Sequence, residues 1–362
     1  MIRVAINGYG RIGRIAHRVI LEKYKSKIEV VAINAGSSTD LKGWMYLLKY
    51  DSVYGKLKDE VTVEPTKESK KDLLGKIVVN KRRKSFVYSQ KDPSLLPWED
   101  LKVDVVIEST GHFLTLEKAN MHLKAGARNV VLSAPAKPAR NASQSDAGGG
   151  GNIETYVLSV NDSDYVGSNV ISNASCTTNC ITPVAKVIAD EFGIEKAMMT
   201  TIHGYTQDQR LQDGGHEDYR RARAAAENII PTSTGATKAA AKALPELEGI
   251  FDGLAIRVPV PVGSLSDFTF VLKKNATVEE INNAFKSAEQ TSLFKNILQT
   301  TNDPIVSSDI IGNSHSAIVD LSLTQVVGGN MVKVIAWYDN EYGYANRLIE
   351  EVLMVEKSTQ AA

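Results

Sequence analysis

The sequence predicts an α/β protein in two parts, an N-terminal half on a parallel sheet and a C-terminal half of α+β type on a mixed sheet. Three observations lead there. The chain has 362 residues, more than one ordinary core supports, so two domains are expected. Through the first half, strand-like and helix-like runs alternate, as in strand–helix–strand units that cover a parallel sheet on both faces. Through the second half, strand-like runs follow one another with few helices between them, which suggests a mixed or antiparallel sheet.

Taken in order, residues 2–6 are a short apolar run ending in a glycine turn. Residues 12–24 read as a helix from the spacing of Ile15, Ala16, Val19 and Ile20, and 28–33 as a second strand. Residues 61–88 read as strand and hairpin material carrying Lys81, Arg82, Arg83 and Lys84. One reading of that cluster is a nucleic-acid patch. A solvated hairpin tip is favoured, because no aromatic platform surrounds it. Residues 103–107 and 130–132 read as buried strands, with a helix over 116–124. Residues 138–152, which include Gly148 to Gly151, can bury almost nothing. A flexible surface insertion within the first domain is expected there. A strand pattern resumes over 154–160.

A helix is predicted over 175–192, kinked by Pro183. There follow a strand at 198–202, a loop over 204–218 and a helix at 238–244. Strands at 254–260, 267–272, 316–321 and 331–338 lead to a closing amphipathic helix over 344–357.

Composition excludes several classes. Hydrophobic residues make up 43% and charged residues 23%, the balance of a globular chain rather than a disordered one. Lys plus Arg equals Asp plus Glu, 42 each, so bulk attraction to nucleic acid or an anionic membrane is not indicated and any anion site is local. No apolar run approaches the roughly 18 residues of a membrane span, and no signal peptide is expected before the first strand. The only cysteines, Cys176 and Cys180, make no disulfide framework, and no zinc site or other metal site is indicated. A reduced, cytoplasmic setting is expected.

Gly8, Gly10 and Gly13 form G-x-G-x-x-G, with Arg11 and Ile12 inside it, between the first strand and the first helix. The first glycine permits the tight turn, the second a close approach to a pyrophosphate, and the third close helix–strand packing. The helix N-terminus adds amide donors and partial positive charge. This predicts a Rossmann dinucleotide site. In such sites the second strand ends in an acidic residue on the adenosine ribose. Here it ends in Asn34, followed by Ala35, Gly36, Ser37 and Ser38, with no carboxylate at the tip.

Cys176 stands at the start of a predicted helix in Ser175-Cys176-Thr177-Thr178-Asn179-Cys180, where the positive helix end favours a thiolate. Both cysteines are also compatible with small core residues. That reading suits Cys180. The polar neighbours of Cys176 argue for a reactive thiol.

The run from Asn173 to Cys180 resembles the nucleophile motif of the glyceraldehyde-3-phosphate dehydrogenase family. Further matches lie at residues 6–14, 48–54, 104–113, 133–137, 200–206, 220–238 and 337–346. The resemblance implies Cys176 as nucleophile and His203 as general base. It implies Asn340 as the residue that takes the nicotinamide carboxamide, and Ser133 as a further cofactor residue. Ser175, Thr234 and Gly235, with Thr177 nearby, match the site for inorganic phosphate. Thr206 and Arg257 match the site for the phosphate of the aldehyde. The alternative for Arg257, between Ile256 and Val258, is a buried salt bridge.

The resemblance further implies a domain of residues 1–174 plus 341–362 for the dinucleotide and one of 175–340 for catalysis, assembled as a homotetramer. The implied reaction oxidises and phosphorylates glyceraldehyde 3-phosphate to 1,3-bisphosphoglycerate, reversibly, through a Cys176 thioester. Erythrose-4-phosphate dehydrogenase is the nearest rival. Aspartate-semialdehyde dehydrogenase lacks the matches around His203 and Thr234, and a non-catalytic nucleotide-sensing or RNA-binding scaffold would not need the intact Cys176–His203 pair. The sequence departs from the family at Val262-Gly263-Ser264, where Asn-Val-Ser is usual, and at Gly214-Gly215, where NAD-specific relatives carry Leu-Pro. With Ala35 at the strand tip, these glycines predict a preference for NADP, or dual use of NADP and NAD. Lys91 is the candidate cation for the 2′-phosphate.

Overall fold

The computed structural model describes residues 1–66, 72–138 and 153–361. The insertion expected over 138–152 therefore lies, beyond Pro138, outside the described residues. The chain divides into two compact units. The first comprises Met1–Tyr156, Tyr165–Ala174 and Ala345–Ala362; the second comprises Val157–Asp164 and Ser175–Tyr344.

The first unit is built on nine strands in the order Glu154–Thr155, Val170–Ser172, Asn129–Leu132, Val105–Glu108, Ile2–Asn7, Ile28–Asn34, Arg83–Tyr88, Leu73–Val79 and Val61–Pro65. Pairing is parallel as far as Arg83–Tyr88 and antiparallel beyond it. Strand order reverses at Ile2–Asn7, which lies between its sequence neighbour and Val105–Glu108. In a doubly wound sheet, the carboxyl ends at such a reversal form the ligand crevice. The central strands have apolar middles, with Val4, Ala5, Ile6, Ile107 and Val131 fully buried.

Three local expectations are corrected here. The helix expected over 12–24 is α-helical only over Arg11–Val19 and widens to a π-helical turn at Ile20–Tyr24. That turn delivers Lys23 to Asn346 (2.8 Å) and Tyr24 to Glu350 (3.0 Å) on the closing helix. A helix at Leu41–Lys49 was not expected, because Gly43 interrupts its pattern; Asp40 caps it by accepting from Gly43 N at 2.8 Å. The strand expected over 154–160 ends at Thr155. Beyond it, Asn161 Oδ1 accepts from Val157 N and Asp162 Oδ1 from Ser159 N, both at 2.8 Å. Side-chain acceptors here take the amides that a strand would use.

The second unit holds an eight-stranded mixed sheet in the order Ile230–Ser233, Phe251–Val258, Ile194–Gly204, Ser264–Leu272, Met331–Tyr338, Ala317–Asp320 and Leu298–Thr301, with Gln325–Val327 also on Met331–Tyr338. The helices Cys176–Phe192, Ala236–Ala243 and Val278–Gln290 share one apolar core with Phe268, Phe270 and Phe285. Pro183 lies within the first of these without ending it. The helix Val278–Gln290 and the strand Leu298–Thr301 were not expected. The helix has a capping box, with Thr277 and Glu280 satisfying each other's backbone amides. The closing helix runs Tyr342–Ala361. Among the described residues no helix is long and apolar enough to cross a membrane.

Candidate active site

Cys176 is the first residue of its helix, and Ser175 is the N-cap, its Oγ accepting from Thr178 N at 3.0 Å. Just before it, Ala174 is fully buried at φ +51°, a left-handed conformation uncommon outside glycine that turns the chain sharply into the helix. His203 lies near the end of Ile194–Gly204, beside Arg257 on the parallel strand Phe251–Val258. The Cys176 Sγ is 3.4 Å from His203 Nε2. The Gly204 carbonyl is 2.6 Å from His203 Nδ1, and Arg257 Nη1 reaches the same carbonyl at 3.2 Å. We assign the imidazole proton to Nδ1, donating to Gly204 O, which turns the Nε2 lone pair toward the thiol. Arg257 Nη1 also stands 2.5 Å from Nδ1, so two donors crowd one carbonyl. An anion on the guanidinium would draw it away.

Burial dominates the ionisation of this pair. It pushes the Cys176 thiol above its ordinary value, offset in part by Arg257 and by bonds to Thr177. It lowers His203 to about 3, with Arg257 acting in the same direction. This differs from the thiolate, favoured by the helix end, that the sequence leads one to expect. Both groups are therefore held neutral at rest, and a proton moving from Sγ to Nε2 would leave the net charge of the pair unchanged. Cys180 is buried one turn further on, and burial raises its thiol too.

Behind the thiol, Tyr338 OH lies 3.0 Å from Thr177 Oγ1 and 2.8 Å from Thr201 Oγ1, and its ring meets the His203 ring edge-on at 6.0 Å. Thr177 is thus buried on a hydroxyl partner rather than presented to an anion. Asn340 is buried as well. Its Oδ1 accepts from Gly263 N and from Ser264 Oγ, each at 3.0 Å.

The three residues matched to inorganic phosphate come together at two helix starts. Ser175 caps the Cys176 helix, Gly235 is the N-cap of Ala236–Ala243, and Thr234 Oγ1 accepts from Ala236 N at 3.2 Å. Thr178 Oγ1 reaches Ala236 O at 3.4 Å and ties the two starts together. Arg257 is half-buried and, among the described residues, pairs with no carboxylate; its Nε is buried without a hydrogen bond. The salt-bridge alternative therefore has no partner there. Thr206 follows the His203 strand, its amide reaching Gln209 Oε1 at 3.3 Å.

Sequence reasoning missed the network that holds this loop. Arg221 donates to Asp208 Oδ2 (2.6 Å), Thr232 Oγ1 (2.8 Å) and Ser233 O (3.1 Å). Only the fold brings these polar residues together. Gly214 and Gly215 are exposed in the same loop.

In the first unit, Gly8 has φ +92°, and a Cβ there would lie 2.7 Å from Thr110 N. At Gly13 a Cβ would lie 2.2 Å from Gly8 O. Both glycines are required by the close approach of the chain to itself at this turn. Gly10 is the N-cap of Arg11–Val19 and offers no side-chain acceptor to its first amides, which suits an anion. The Arg11 guanidinium is engaged on Asp51 at 3.1 and 3.3 Å, and Ile12 is half-buried. Ser109, missed in the sequence, fastens the turn through Oγ to Gly8 O at 2.7 Å. Beneath it a buried chain runs from Trp98 Nε1 to His122 Nδ1 (3.1 Å) and from His122 Nε2 to Glu108 (3.0 Å). It continues through Asn7 to Asn34 (2.7 Å).

Asn34 is committed to Asn7 and to the backbone of Gln90. Ala35 N donates to Tyr88 O at 2.8 Å, and Ser89 Oγ reaches Gly36 O at 3.3 Å. These bonds place Lys91, which is exposed, one residue from the strand tip. Ser37 is exposed. Ser38 Oγ accepts from Trp44 Nε1 at 2.9 Å. Ser133 stands at the end of Asn129–Leu132, its amide on Glu108 O at 2.9 Å.

Comparison with known proteins gives a consistent result. The family profile described as glyceraldehyde 3-phosphate dehydrogenase, NAD binding domain, matches residues 2–116, and that described as the C-terminal domain matches residues 175–340. The chain is 51% identical over 361 residues to the glyceraldehyde-3-phosphate dehydrogenase of Mycobacterium avium, covering 99% of each chain. It is 50% identical over 362 residues to that of Mycolicibacterium smegmatis, again with 99% of each covered. To glyceraldehyde-3-phosphate dehydrogenase 2 of Streptomyces avermitilis it is 47% identical over 356 residues, 98% of each.

Proposed function

The chain belongs to the glyceraldehyde-3-phosphate dehydrogenase family, and from that premise we propose that it oxidises glyceraldehyde 3-phosphate, with inorganic phosphate, to 1,3-bisphosphoglycerate. The observation that carries this reading is the 3.4 Å approach of Cys176 Sγ to His203 Nε2, beside an Arg257 that among the described residues pairs with no carboxylate.

The thiol proton passes to His203 Nε2 as Sγ bonds the aldehyde carbon, and the imidazolium returns that proton to the new alkoxide. A bound nicotinamide dinucleotide supplies the hydride acceptor. As the hydride leaves the carbon, His203 takes the hydroxyl proton and a thioester remains on Cys176. Inorganic phosphate then attacks the thioester carbon. Sγ departs with its electron pair and recovers the proton from His203. Arg257 and Thr206 hold the phosphate of the aldehyde; Ser175, Thr234 and Gly235 receive the attacking phosphate.

In the first unit the Gly8–Gly13 turn and the strand tip are assigned to the dinucleotide, with NADP preferred or both forms used; in the second, Asn340 keeps the carboxamide role that the resemblance implies. We further read the active form as a homotetramer.

The test is reduction of either dinucleotide by purified protein with glyceraldehyde 3-phosphate or erythrose 4-phosphate, with and without inorganic phosphate. Phosphate-dependent reduction, faster with glyceraldehyde 3-phosphate and lost in Cys176→Ala, is expected. Faster turnover of erythrose 4-phosphate would reassign the substrate. Full activity in Cys176→Ala would remove the thioester.

A further inference from the structure

The stretch Val262-Gly263-Ser264 departs from the family at its first two positions and keeps the serine, which lies between Gly204 and Asn340. Ser264 is buried, and its single hydroxyl serves two partners. It accepts from Gly204 N at 3.2 Å and donates to Asn340 Oδ1 at 3.0 Å. Gly204 is also the residue whose carbonyl, in the next peptide, meets His203 Nδ1 and Arg257 Nη1. Gly263 completes the arrangement. Its φ is +99°, and a Cβ there would lie 2.6 Å from Ser307 O, so the backbone is confined to a form that aims its N–H at the same Asn340 oxygen.

We propose that Ser264 is a positioning residue that locks the Asn340 amide and the His203-bearing peptide to one another. The inference rests on the reading of Asn340 as the nicotinamide-carboxamide residue. With Oδ1 occupied by two donors, the Asn340 amide cannot exchange its ends without setting N–H against N–H. Its Nδ2 is therefore committed as the donor left for a ligand. The same hydroxyl takes up Gly204 N, so the base and the residue that orients the ring share one anchor. A side-chain amide held in one sense admits a carboxamide in one sense, and so presents one face of the ring.

The experiment uses Ser264→Ala and Ser264→Cys in the full chain, the second keeping the shape and replacing the hydroxyl by a weak donor. One neutral hydrogen bond is worth about 1 kcal/mol, so KM for the preferred dinucleotide should rise about fivefold in Ser264→Ala and less in Ser264→Cys. KM for the aldehyde should stay near its original value, a split that general loosening would not give. With aldehyde deuterated at C1, the unmodified enzyme should place the label on one face of the reduced nicotinamide, and Ser264→Ala should place a measurable share on the other. Loss of Ser264 should add nothing to dinucleotide KM in an Asn340→Ala background. Unchanged KM and single-face transfer in folded Ser264→Ala, or fully additive losses in the double variant, overturn the inference. If Ser264→Ala does not fold, Ser264→Cys with unchanged KM and face selectivity overturns it equally. Asn340→Ala with unchanged dinucleotide KM refutes the assignment of Asn340 instead.

Discussion

At the scale of single residues, a buried thiol and a buried imidazole are each poor at carrying charge, and together they need carry none in sum. Burial raises Cys176 and lowers His203, so a lone thiolate or a lone imidazolium is disfavoured, and a proton passed along the 3.4 Å between them adds no net charge. A consequence with a definite sign follows. In His203→Asn the thiol must ionise alone, against burial, with only Arg257 and the helix start to help. The midpoint of Cys176 alkylation by iodoacetamide should therefore move to higher pH, and turnover should fall by roughly two to four orders of magnitude. Peptide mapping should find Cys176 labelled far ahead of the enclosed Cys180. A variant with an unmoved midpoint and near-normal turnover would show that another group takes the proton. Cys176 was legible in the sequence from its place at a helix start. His203 was legible only through the resemblance, because nothing local distinguishes it from a structural histidine. Ala174 was not legible at all, since a positive φ on an alanine is imposed by its surroundings and leaves no mark in composition.

At the scale of elements, the strand Ile28–Asn34 and its tip carry the cofactor question. Its alternation with the first helix was readable, since apolar runs and a glycine turn are local signals. The clasp around the tip was not, because Gln90 and Ser89 arrive from a strand more than fifty positions away. That clasp fixes Asn34 and aligns Ala35, with Lys91 next to Gln90. Ser38 receives Trp44 Nε1 on its oxygen, which leaves its hydroxyl proton to donate outward. A carboxylate at position 35 would repel a 2′-phosphate and bind ribose hydroxyls. Ala35 removes that repulsion, and Ser38 and Lys91 offer a donor and a charge. One charged contact is worth about 1.5–3 kcal/mol, or roughly 10- to 150-fold in affinity. kcat/KM should be at least equal for NADP and NAD in the unmodified protein, and Ala35→Asp should shift the ratio toward NAD by about tenfold or more. An NAD preference above tenfold without the substitution would defeat the cofactor argument and leave the dehydrogenase assignment intact. The helix Val278–Gln290 shows the reverse case: its Thr277–Glu280 capping box is a local signal that the sequence itself carries.

At the scale of the whole molecule, the mixed sheet of the second unit has two unequal faces. Ala197, Met199, Thr201 and His203 of Ile194–Gly204 are buried on the side of the helices. The alternate residues form the other face, where Met198 is 60% and Leu254 42% exposed, with Ile202, Ile256, Leu265 and Trp337 partly exposed. A sheet face of that character is covered in most stable architectures. Further apolar side chains stand out in the loop after Thr206, with Leu211 83% and Tyr219 85% exposed. Both observations support the homotetramer inferred from the family resemblance. Periodicity in the sequence marks the buried face of this sheet but not what lies against the other, where Met198, Leu254 and Trp337 stand among Thr200 and the Asp267–Lys333 pair. Light scattering across a range of protein concentrations should give the mass of four chains. Met198→Lys with Leu254→Lys sets two cations on the exposed face, and burying them against a partner would require their desolvation. This double variant should therefore lower the mass, while Cys176, which belongs to the helix side of the sheet, should keep its alkylation profile. A single-chain mass at every concentration for the unmodified protein would refute the tetramer. An unchanged four-chain mass in the double variant would move the interface away from this face and toward the apolar loop.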